Sequence, residues 1–212
     1  MRLLATYEIN AVLDVGANTG QYAQQLRRLG YRGRILSFEP LSSAFAELRR
    51  NHARVPDKWE IANAGLGERA GRAVLNIAAN SYSSSILPML PAHSVNAPDS
   101  SFIDKEEVAI DTVDSIIETR VRPTERLFLK SDTQGYEANV LAGAAKHLDR
   151  ILGLQLEMSL IPLYEGELLL VEMISYLAER GFTLMSLEPG FASPTTGQLL
   201  QTDGLFFRQR SL

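Results

Sequence analysis

The chain has 212 residues, of which 45% are hydrophobic and 22% are charged, so it is long enough for one globular domain with a sizeable core. Its formal net charge of −4 and its pI near 5.5 give no electrostatic reason to expect a nucleic acid or an anionic membrane as a partner. The sequence contains no cysteine, which excludes disulfides and thiolate metal sites and is compatible with a reducing compartment.

The N-terminal residues do not follow the pattern of a signal peptide, because Glu8 and Asn10 interrupt the apolar run. No later segment approaches the roughly 18 consecutive apolar residues of a membrane span. We therefore expect a cytoplasmic protein without a membrane span, in which residues 1–212 form a single domain. The Ser-, Pro- and Asn-rich run that begins at Asn80 predicts a mobile loop or lid over residues 80–107.

Apolar runs of strand length alternate with amphipathic segments of helix length, a pattern typical of a mainly parallel sheet with helices on both faces. In chain order the predicted strands are Ala11–Val15, Arg34–Phe38, Trp59–Ala64, Ala73–Ala78, Val108–Asp111, Leu127–Lys130, Ile151–Leu156, Phe182–Leu187 and Leu205–Arg208. The predicted helices are Gln21–Leu29, one from Ser42 or Ser43 to about Asn51, Val113–Glu118, Ala138–Leu148 and Glu167–Arg180. No segment of helix length separates the last two strands, so we expect them to close the sheet as an antiparallel hairpin.

Ligands of open parallel sheets bind outside the carboxyl ends of the strands, where the strand order reverses. After the first strand, Gly16 and Gly20 permit close approach of the backbone to a ligand, and Asn18 tolerates a left-handed turn. The loop opens a helix whose N-terminal dipole can face a polar or carboxylate group, and Asp14 would accept hydrogen bonds from the ligand or orient the loop. A tight strand-to-helix turn without a ligand is the alternative.

The ends of the next two strands add candidates for the same site. Glu39 follows the second strand, where a carboxylate can accept both hydroxyls of a ribose, and a plain surface carboxylate is the alternative. After the third strand, Asn63 or Ala64 is placed to meet an adenine edge, or belongs to a glycine turn without a ligand. Asn18 occupies the second glycine position of the Gly-x-Gly-x-x-Gly dinucleotide motif, which disfavours a dinucleotide cofactor.

Polar residues also follow the strand Leu127–Lys130, where chemistry occurs in this kind of sheet. Asp132 is placed to take the proton of an acceptor hydroxyl, and Gln134 and Tyr136 are placed to position that acceptor. Capping of the next helix is the alternative role for Asp132. Glu157 ends a neighbouring strand and is a second carboxylate at the same cleft, with either a structural or a substrate-binding role.

His93 lies in the Ser/Pro-rich run, where a base with a pKa near neutral would be useful if the loop closes over the cleft. A solvated loop histidine is the alternative, and we favour it. No His or carboxylate spacing in the sequence makes a metal site. Asp132 and Glu157 offer oxygen ligands that suit Mg²⁺, but two carboxylates from separate strands do not predict a site.

Four segments of the sequence resemble the FkbM family of class I S-adenosylmethionine-dependent methyltransferases, over nearly the whole chain from about Val12 to Arg208. They are Leu-Asp-Val-Gly-Ala-Asn-Thr-Gly at 13–20, Ser-Phe-Glu-Pro at 37–40, Lys-Ser-Asp-Thr-Gln-Gly-Tyr-Glu at 130–137 and Thr-Asp-Gly-Leu-Phe-Phe-Arg at 202–208. The third segment is the most specific, although Ser131 stands where the family commonly has a hydrophobic residue. The run 81–87 is similar to the family's serine-rich loop, and this similarity places Ser84 and Ser85 among the substrate-binding residues.

The resemblance implies a Rossmann-like class I methyltransferase fold, with a mainly parallel seven-stranded sheet, a C-terminal antiparallel hairpin and helices on both faces. It also implies methyl transfer from S-adenosylmethionine, usually to a hydroxyl of a sugar, a glycolipid or a polyketide-type natural product. The expected partner is then a small-molecule or glycan acceptor and not a nucleic acid, and Asp132 contributes to cofactor binding as well as to catalysis. A nucleotide-dependent oxidoreductase and a non-catalytic adenosyl-binding domain are the alternatives.

Overall fold

The computed structural model describes residues 1–54 and 58–209. The strands are β1 (Ala11–Val15), β2 (Arg34–Phe38), β3 (Trp59–Ala62), β4 (Gly65–Leu66), β5 (Gly71–Ala78), β6 (Phe102–Asp111), β7 (Leu127–Ser131), β8 (Ile151–Ser159), β9 (Phe182–Pro189) and β10 (Gln201–Arg208). The helices are α1 (Arg2–Thr6), α2 (Gln21–Arg28), α3 (Ser42–His52), α4 (Pro91–Asn96), α5 (Val113–Arg120), α6 (Glu137–Ala142) and α7 (Leu170–Ala178). No helix in the described residues is long and apolar enough to cross a membrane.

The main sheet has seven strands in the order β3-β2-β1-β7-β8-β10-β9. The first five of these strands pair in parallel, whereas β10 pairs antiparallel with both β8 and β9. This arrangement confirms the predicted parallel sheet with an antiparallel C-terminal hairpin. Because β2 and β7 lie on opposite sides of β1, the strand order reverses at β1, and a crevice opens at the carboxyl ends of β1 and β7.

Alternate residues of the central strands pack on opposite faces of this sheet. Leu13 and Val15 belong to the core beneath α5, α6 and α7, whereas Val12 belongs to the core beneath α1, α2 and α3. Every residue of β1 is buried, which accounts for its nearly continuous apolar sequence. Asp14 is the polar exception in this strand, and its burial is complete.

The segment 80–107, which the sequence predicts as a mobile loop or lid, contains a helix and part of a strand. Pro91 begins α4, and β6 begins at Phe102 rather than at Val108. β6 pairs antiparallel with β5 and forms a second, three-stranded sheet of order β4-β6-β5. The sequence conceals the first half of β6 because 104–107 are consecutive charged residues without an alternating apolar pattern.

Candidate functional site

A cavity of about 270 Å³ opens at the carboxyl ends of β1, β2, β7 and β8, where the strand order predicts a ligand site. The cavity has two ends, one at β1 and β2 and the other at β7 and β8, and most of the site residues predicted from the sequence lie at these ends. At the first end, β1 and β2 are followed by Gly16, Asn18 and Glu39. At the second end, β7 is followed by Asp132, Gln134 and Tyr136, and Glu157 lies near the carboxyl end of β8. The segment 81–86 forms a further wall through Ser81, Tyr82, Ser84 and Ile86.

The loop after β1 is shaped by close backbone contacts. Gly16 has φ +73°, and a Cβ atom on it would lie 1.9 Å from the carbonyl oxygen of Asp132. Gly20 has φ +91° and stands directly before α2, where a Cβ atom would lie 2.7 Å from Cδ1 of Leu48 and 2.9 Å from the ring of Trp59. Only glycine fits both positions. At Gly16 the loop lies against the backbone that follows β7, and at Gly20 it lies against the side chains of Leu48 and Trp59.

Glu39 is buried at the β2 side of the cavity. Its Oε2 accepts a hydrogen bond from the N–H of Asn18 at 2.7 Å, and its Oε1 accepts one from the N–H of Leu41 at 2.8 Å. Burial raises the pKa of Glu39 to about 7, against the opposing effect of these two donors. Each oxygen accepts one of these bonds and retains the capacity for another. The carboxylate can therefore receive further donors from a ligand.

Asp14 lies beneath the cavity rather than in its lining. The register of the sheet places it beside Ser37 on β2 and Lys130 on β7. Its Oδ2 accepts a hydrogen bond from Oγ of Ser37 at 2.8 Å, and its Oδ1 lies 3.6 Å from Nζ of Lys130. Burial raises the pKa of Asp14, and the charge of Lys130 opposes the shift. This placement fits a role in orienting the loop better than direct contact with a ligand.

Lys130 connects the two ends of the cavity from below. Its Nζ donates a hydrogen bond to the carbonyl oxygen of Gly16 at 3.1 Å and lies 3.5 Å from Oδ2 of Asp132. Burial by itself would lower the pKa of Lys130, but the charges of Asp132 and Asp14 raise it above its usual value. The ammonium group is therefore charged and offsets the carboxylates around it.

Gln134 joins Asp132 and Glu157, which we call the carboxylate pair. Its Nε2 donates to Oδ1 of Asp132 at 3.0 Å and to Oε2 of Glu157 at 2.6 Å. A second amide, from Gln201 on β10, donates to the same Oε2 at 2.9 Å. Burial raises the pKa of Glu157 well above its usual range, and the charge of Asp132 adds to the shift. The side chain of Asp132 is 40% exposed, which suits a group that must meet an acceptor.

The serine-rich loop contributes unequally to the site. Ser84 lines the cavity, as does Tyr136 on the opposite side. Ser85 is buried instead, and its Oγ donates to the carbonyl oxygen of Gln134 at 2.7 Å. Ser85 therefore holds the turn that carries Gln134 and does not reach into the cavity.

The turn after β3 also differs from the expectation. Nδ2 of Asn63 donates hydrogen bonds to the carbonyl oxygens of Glu39 and Pro40, so this side chain stabilises the backbone that follows β2. Among the described residues of this turn, Gly65 and Leu66 line the cavity, and Asn63 and Ala64 do not. The turn predicted from the sequence therefore borders the cavity, but through Gly65 and Leu66 rather than through Asn63 or Ala64.

His93 is not a solvated loop residue, which corrects the favoured expectation, and it does not line the cavity either. It lies in α4 and is 2% exposed. Its Nδ1 lies 2.8 Å from Oγ of Ser100, and its Nε2 lies 3.3 Å from Oη of Tyr164. Burial lowers the pKa of His93, so the imidazole is neutral near pH 7. Because both ring nitrogens have partners, His93 is not placed to take a proton from an acceptor.

Sequence reasoning missed three residues that belong to this site. Tyr82 lines the cavity wall and is 63% exposed, and its Oη accepts a hydrogen bond from Nε2 of Gln21 at 3.3 Å. Tyr164 and Gln201 contact Gln134 and Glu157 respectively. An aromatic residue within a serine-rich run was a usable signal for Tyr82. Tyr164 and Gln201 have no such signal, because they reach the site only through the folded chain.

The ionisable side chains that line the cavity, apart from tyrosines, are all carboxylic acids. They are Glu39, Asp132 and Glu157, and none of the described lining residues is Lys, Arg or His. Within residues 1–54 and 58–209, no group of three or more His, Asp or Glu side chains is arranged to hold a metal ion. The cavity therefore favours neutral or cationic groups over anions.

The sequence model of the FkbM methyltransferase domain matches residues 14–184 of the chain. No protein of curated function matches the chain. The fold is similar to the crystal structure of methyltransferase FkbM from Methylobacillus flagellatus KT, with a TM-score of 0.58 and 18% identity. That similarity covers 94% of this chain but 44% of the Methylobacillus chain, so this protein spans less than half of that structure.

Two further solved structures share the fold at low identity. An rRNA methylase from Streptococcus thermophilus gives a TM-score of 0.53 at 13% identity and covers 99% of this chain and 94% of its own. The 1,6-didemethyltoxoflavin-N1-methyltransferase from Burkholderia thailandensis gives a TM-score of 0.50 at 12% identity, with 99% and 76% coverage. The latter structure contains bound 1,6-didemethyltoxoflavin and S-adenosylhomocysteine.

Proposed function

Because the chain belongs to the FkbM methyltransferase family, we propose that it transfers a methyl group from S-adenosylmethionine to a hydroxyl group of a neutral acceptor. The acceptor classes that we favour are a sugar, a glycolipid and a polyketide-type natural product. One observation carries the proposal: a single cavity joins the glycine loop and Glu39 to the carboxylate pair. A cofactor and an acceptor bound at its two ends would meet within it.

The β1–β2 end of the cavity fits an adenosyl cofactor. Glu39 offers carboxylate oxygens to ribose hydroxyls, and Pro40 and Leu66 offer apolar surface to a base. Gly16 leaves space where any side chain would collide with Asp132. When bound, S-adenosylmethionine supplies an electrophilic methyl group on a positively charged sulfur, and the acidic lining suits that charge. The S-adenosylhomocysteine in the Burkholderia neighbour adds support from a related fold.

The β7–β8 end provides the groups that an acceptor hydroxyl needs. Asp132 would take the hydroxyl proton as the acceptor oxygen bonds to the methyl carbon and the methyl–sulfur bond of the cofactor breaks, which leaves S-adenosylhomocysteine. Nζ of Lys130 lies 3.5 Å from Oδ2 of Asp132. Gln134 and Tyr136 contact the acceptor and restrict its orientation. Proton removal by a positioned base contributes about 10²–10⁴-fold to the rate. The remainder of the protein's contribution is alignment of the acceptor oxygen.

The charge of the cavity selects among acceptors. A phosphate or uronate group in this cavity would face Glu39 and the carboxylate pair without a cationic side chain in the described lining. RNA acts as acceptor for some enzymes of this fold, and its affinity depends on basic side chains near the phosphates. We therefore favour a neutral polyhydroxyl acceptor over an RNA or a charged sugar.

Methyl transfer is tested with methyl-labelled S-adenosylmethionine and a panel of acceptors. The neutral members are methyl α-D-glucopyranoside, methyl α-D-mannopyranoside and methyl α-L-rhamnopyranoside, and the anionic members are methyl α-D-glucuronoside and an RNA hairpin. We expect label in at least one neutral glycoside and none in the anionic members. Label in the RNA hairpin alone would reassign the acceptor to a nucleic acid.

Cofactor binding is tested separately by calorimetric titration with S-adenosylhomocysteine and with NADH. We expect binding of S-adenosylhomocysteine only. Binding of NADH alone would favour the oxidoreductase alternative. Tight binding of S-adenosylhomocysteine without methyl transfer to any panel member would favour a non-catalytic adenosyl-binding domain.

A further inference from the structure

Tyr164 lies in the segment after β8, buried behind the wall of the cavity. A Cβ atom on Gly135 would lie 2.8 Å from Cβ of Tyr164, so the backbone of Gly135 rests directly on this side chain. Gly135 has φ +90° and Gln134 has φ +56°. The left-handed turn that carries Gln134 is therefore supported by Tyr164 from below.

The hydroxyl of Tyr164 also determines how the side-chain amide of Gln134 is oriented. Its Oη donates to Oε1 of Gln134 at 2.8 Å. The opposite side of the amide faces the carboxylate pair, whose oxygens accept hydrogen bonds from Nε2. Because a carboxylate needs a donor and a hydroxyl can supply one, this assignment of the amide satisfies every partner.

Tyr164 is suited to act as a permanent donor. Burial raises the pKa of Tyr164, and the charges of Glu157 and Glu137 raise it further, so Oη keeps its proton at every working pH. Oη has one hydrogen, and its shortest contact is with Oε1 of Gln134. Nε2 of His93 lies 3.3 Å from Oη, and the ring of His93 also contacts the ring of Tyr164.

We propose that Tyr164 is a positioning residue for methyl transfer: its hydroxyl fixes the amide of Gln134, which in turn holds the carboxylate pair at the acceptor end of the cavity. The inference rests on the proposed function. His93, which the sequence offers as a candidate base, contacts Tyr164 and supports its position. Neither side chain lines the cavity, so both act through Gln134.

Removal of the hydroxyl would free the amide to rotate. A rotated amide places Oε1 against one or both carboxylates, and the pair loses its shared donor. A donated hydrogen bond favours the charged form of a carboxylate, so the raised pKa of Glu157 would rise further without it. The other charged or titratable groups around the pair are Lys130, Glu137 and Asp203. These groups are unchanged in a variant that lacks only Oη.

The kinetic test uses Tyr164→Phe and the panel glycoside with the highest wild-type turnover. We expect kcat to fall about tenfold to hundredfold, with the acidic limb of the kcat–pH profile shifted to higher pH. The Kd of S-adenosylhomocysteine should stay within about threefold, because the β1–β2 end is untouched. Tyr31→Phe is the matched control, since Tyr31 is buried and its Oη has no hydrogen-bond partner among the described residues. This control should leave kcat and the pH profile unchanged.

A second measurement reads the position of Gln134 without relying on turnover. In the wild-type protein, the Nε2 hydrogens of Gln134 should show slow solvent exchange by ¹⁵N–¹H NMR, because both of them are hydrogen bonded. Tyr164→Phe should speed this exchange, and Tyr31→Phe should not. Unchanged exchange together with an unchanged kcat–pH profile in Tyr164→Phe would overturn the inference.

The two proposals fail in different ways. A wild-type protein that transfers no methyl group to any panel member contradicts the proposed function, and the exchange measurement then still decides whether Tyr164 fixes Gln134. An active wild-type protein whose Tyr164→Phe variant matches Tyr31→Phe contradicts only the positioning role.

Discussion

The end of the cavity formed by β1 and β2 takes its shape from the backbone, whereas the end formed by β7 and β8 takes its shape from side chains. At the first end, the positive φ of Gly16 and the N–H groups that bind Glu39 define the surface. At the second end, Gln134 joins the carboxylate pair through its side-chain amide. Backbone shape follows from local sequence, while a side-chain network depends on residues that are distant in the chain. The first end should therefore respond to steric changes and the second to changes of charge and hydrogen bonding.

The largest effect is expected from Gly16→Ala. The new Cβ atom would lie 1.9 Å from the carbonyl oxygen of Asp132, so two backbone segments must separate, and we expect a loss of about 4–5 kcal/mol in the free energy of unfolding. Gly197→Ala is the matched control, because Gly197 has φ +75° but nothing within 4 Å of the added atom. The control should lose only about 1–2 kcal/mol in urea unfolding. Equal losses in both variants would show that the close contact with β7 has no energetic weight.

The next largest effect is expected from Lys130→Met. This variant tests whether the two ends of the cavity depend on the charge of Lys130, which they share. The variant leaves Asp14 buried without its cation, which should cost about 3–5 kcal/mol at pH 8. The pKa of Asp14 is already raised by burial and rises further without Lys130, so protonation relieves the cost as the pH falls. Thermal unfolding at pH 5 and pH 8 should show a smaller difference from wild type at pH 5. The double variant Asp14→Asn/Lys130→Met should recover part of the loss, and no recovery would contradict this pairing.

The substitutions Asp132→Asn and Glu39→Gln should separate the two ends functionally. Asp132→Asn should reduce kcat by about 10²–10⁴-fold while the Kd of S-adenosylhomocysteine changes little. Glu39→Gln should weaken S-adenosylhomocysteine by about tenfold while kcat at saturation changes little. Steady-state kinetics and calorimetry check both variants. An unchanged turnover in Asp132→Asn would remove it as the base.

The smallest expected effect is a pH dependence of cofactor affinity. The pKa of Glu39 is raised to about 7 in the free protein, and the ribose hydroxyls of a bound ligand favour its charged form. Affinity for S-adenosylhomocysteine should therefore be constant above about pH 8 and fall below pH 7, by no more in total than the roughly tenfold loss expected for Glu39→Gln. Titrations between pH 5.5 and 8.5 measure this slope. Glu39→Gln should abolish it, and a slope that persists in this variant would assign it to another group.

The same difference explains what was predictable from the sequence. The parallel sheet and the loop at Gly16 follow from apolar periodicity and local turn chemistry, and Glu39 follows from its place at a strand end. The contacts of Asp14 were not predictable, because they depend on the register that sets it beside Ser37 and Lys130 on two other strands. A one-residue shift in either strand would have placed different side chains there.

His93 shows the limit of composition as a guide to burial. It lies in a run rich in Ser, Pro and Asn, a composition that indicates a solvated loop. Its neighbours in space are the rings of Tyr164 and Phe191, about 70 and 100 residues further along the chain, and they exclude water from it. β6 was predictable only in its apolar second half, because its charged first half is held by backbone pairing with β5 and has no alternating apolar pattern.

The position of β10 has a consequence for the biosynthesis of the protein. β10 follows both β8 and β9 along the chain, yet it lies between them in the sheet, and its Gln201 donates a hydrogen bond to Glu157. A ribosome releases β8 and β9 first, so each waits with an unpaired edge until the strand between them is made. A nascent chain that stops before Gln201 would lack β10, the strand that joins β8 to β9, and with it a donor to the carboxylate pair. Such a product should be a substrate for quality-control proteases rather than a partly active enzyme.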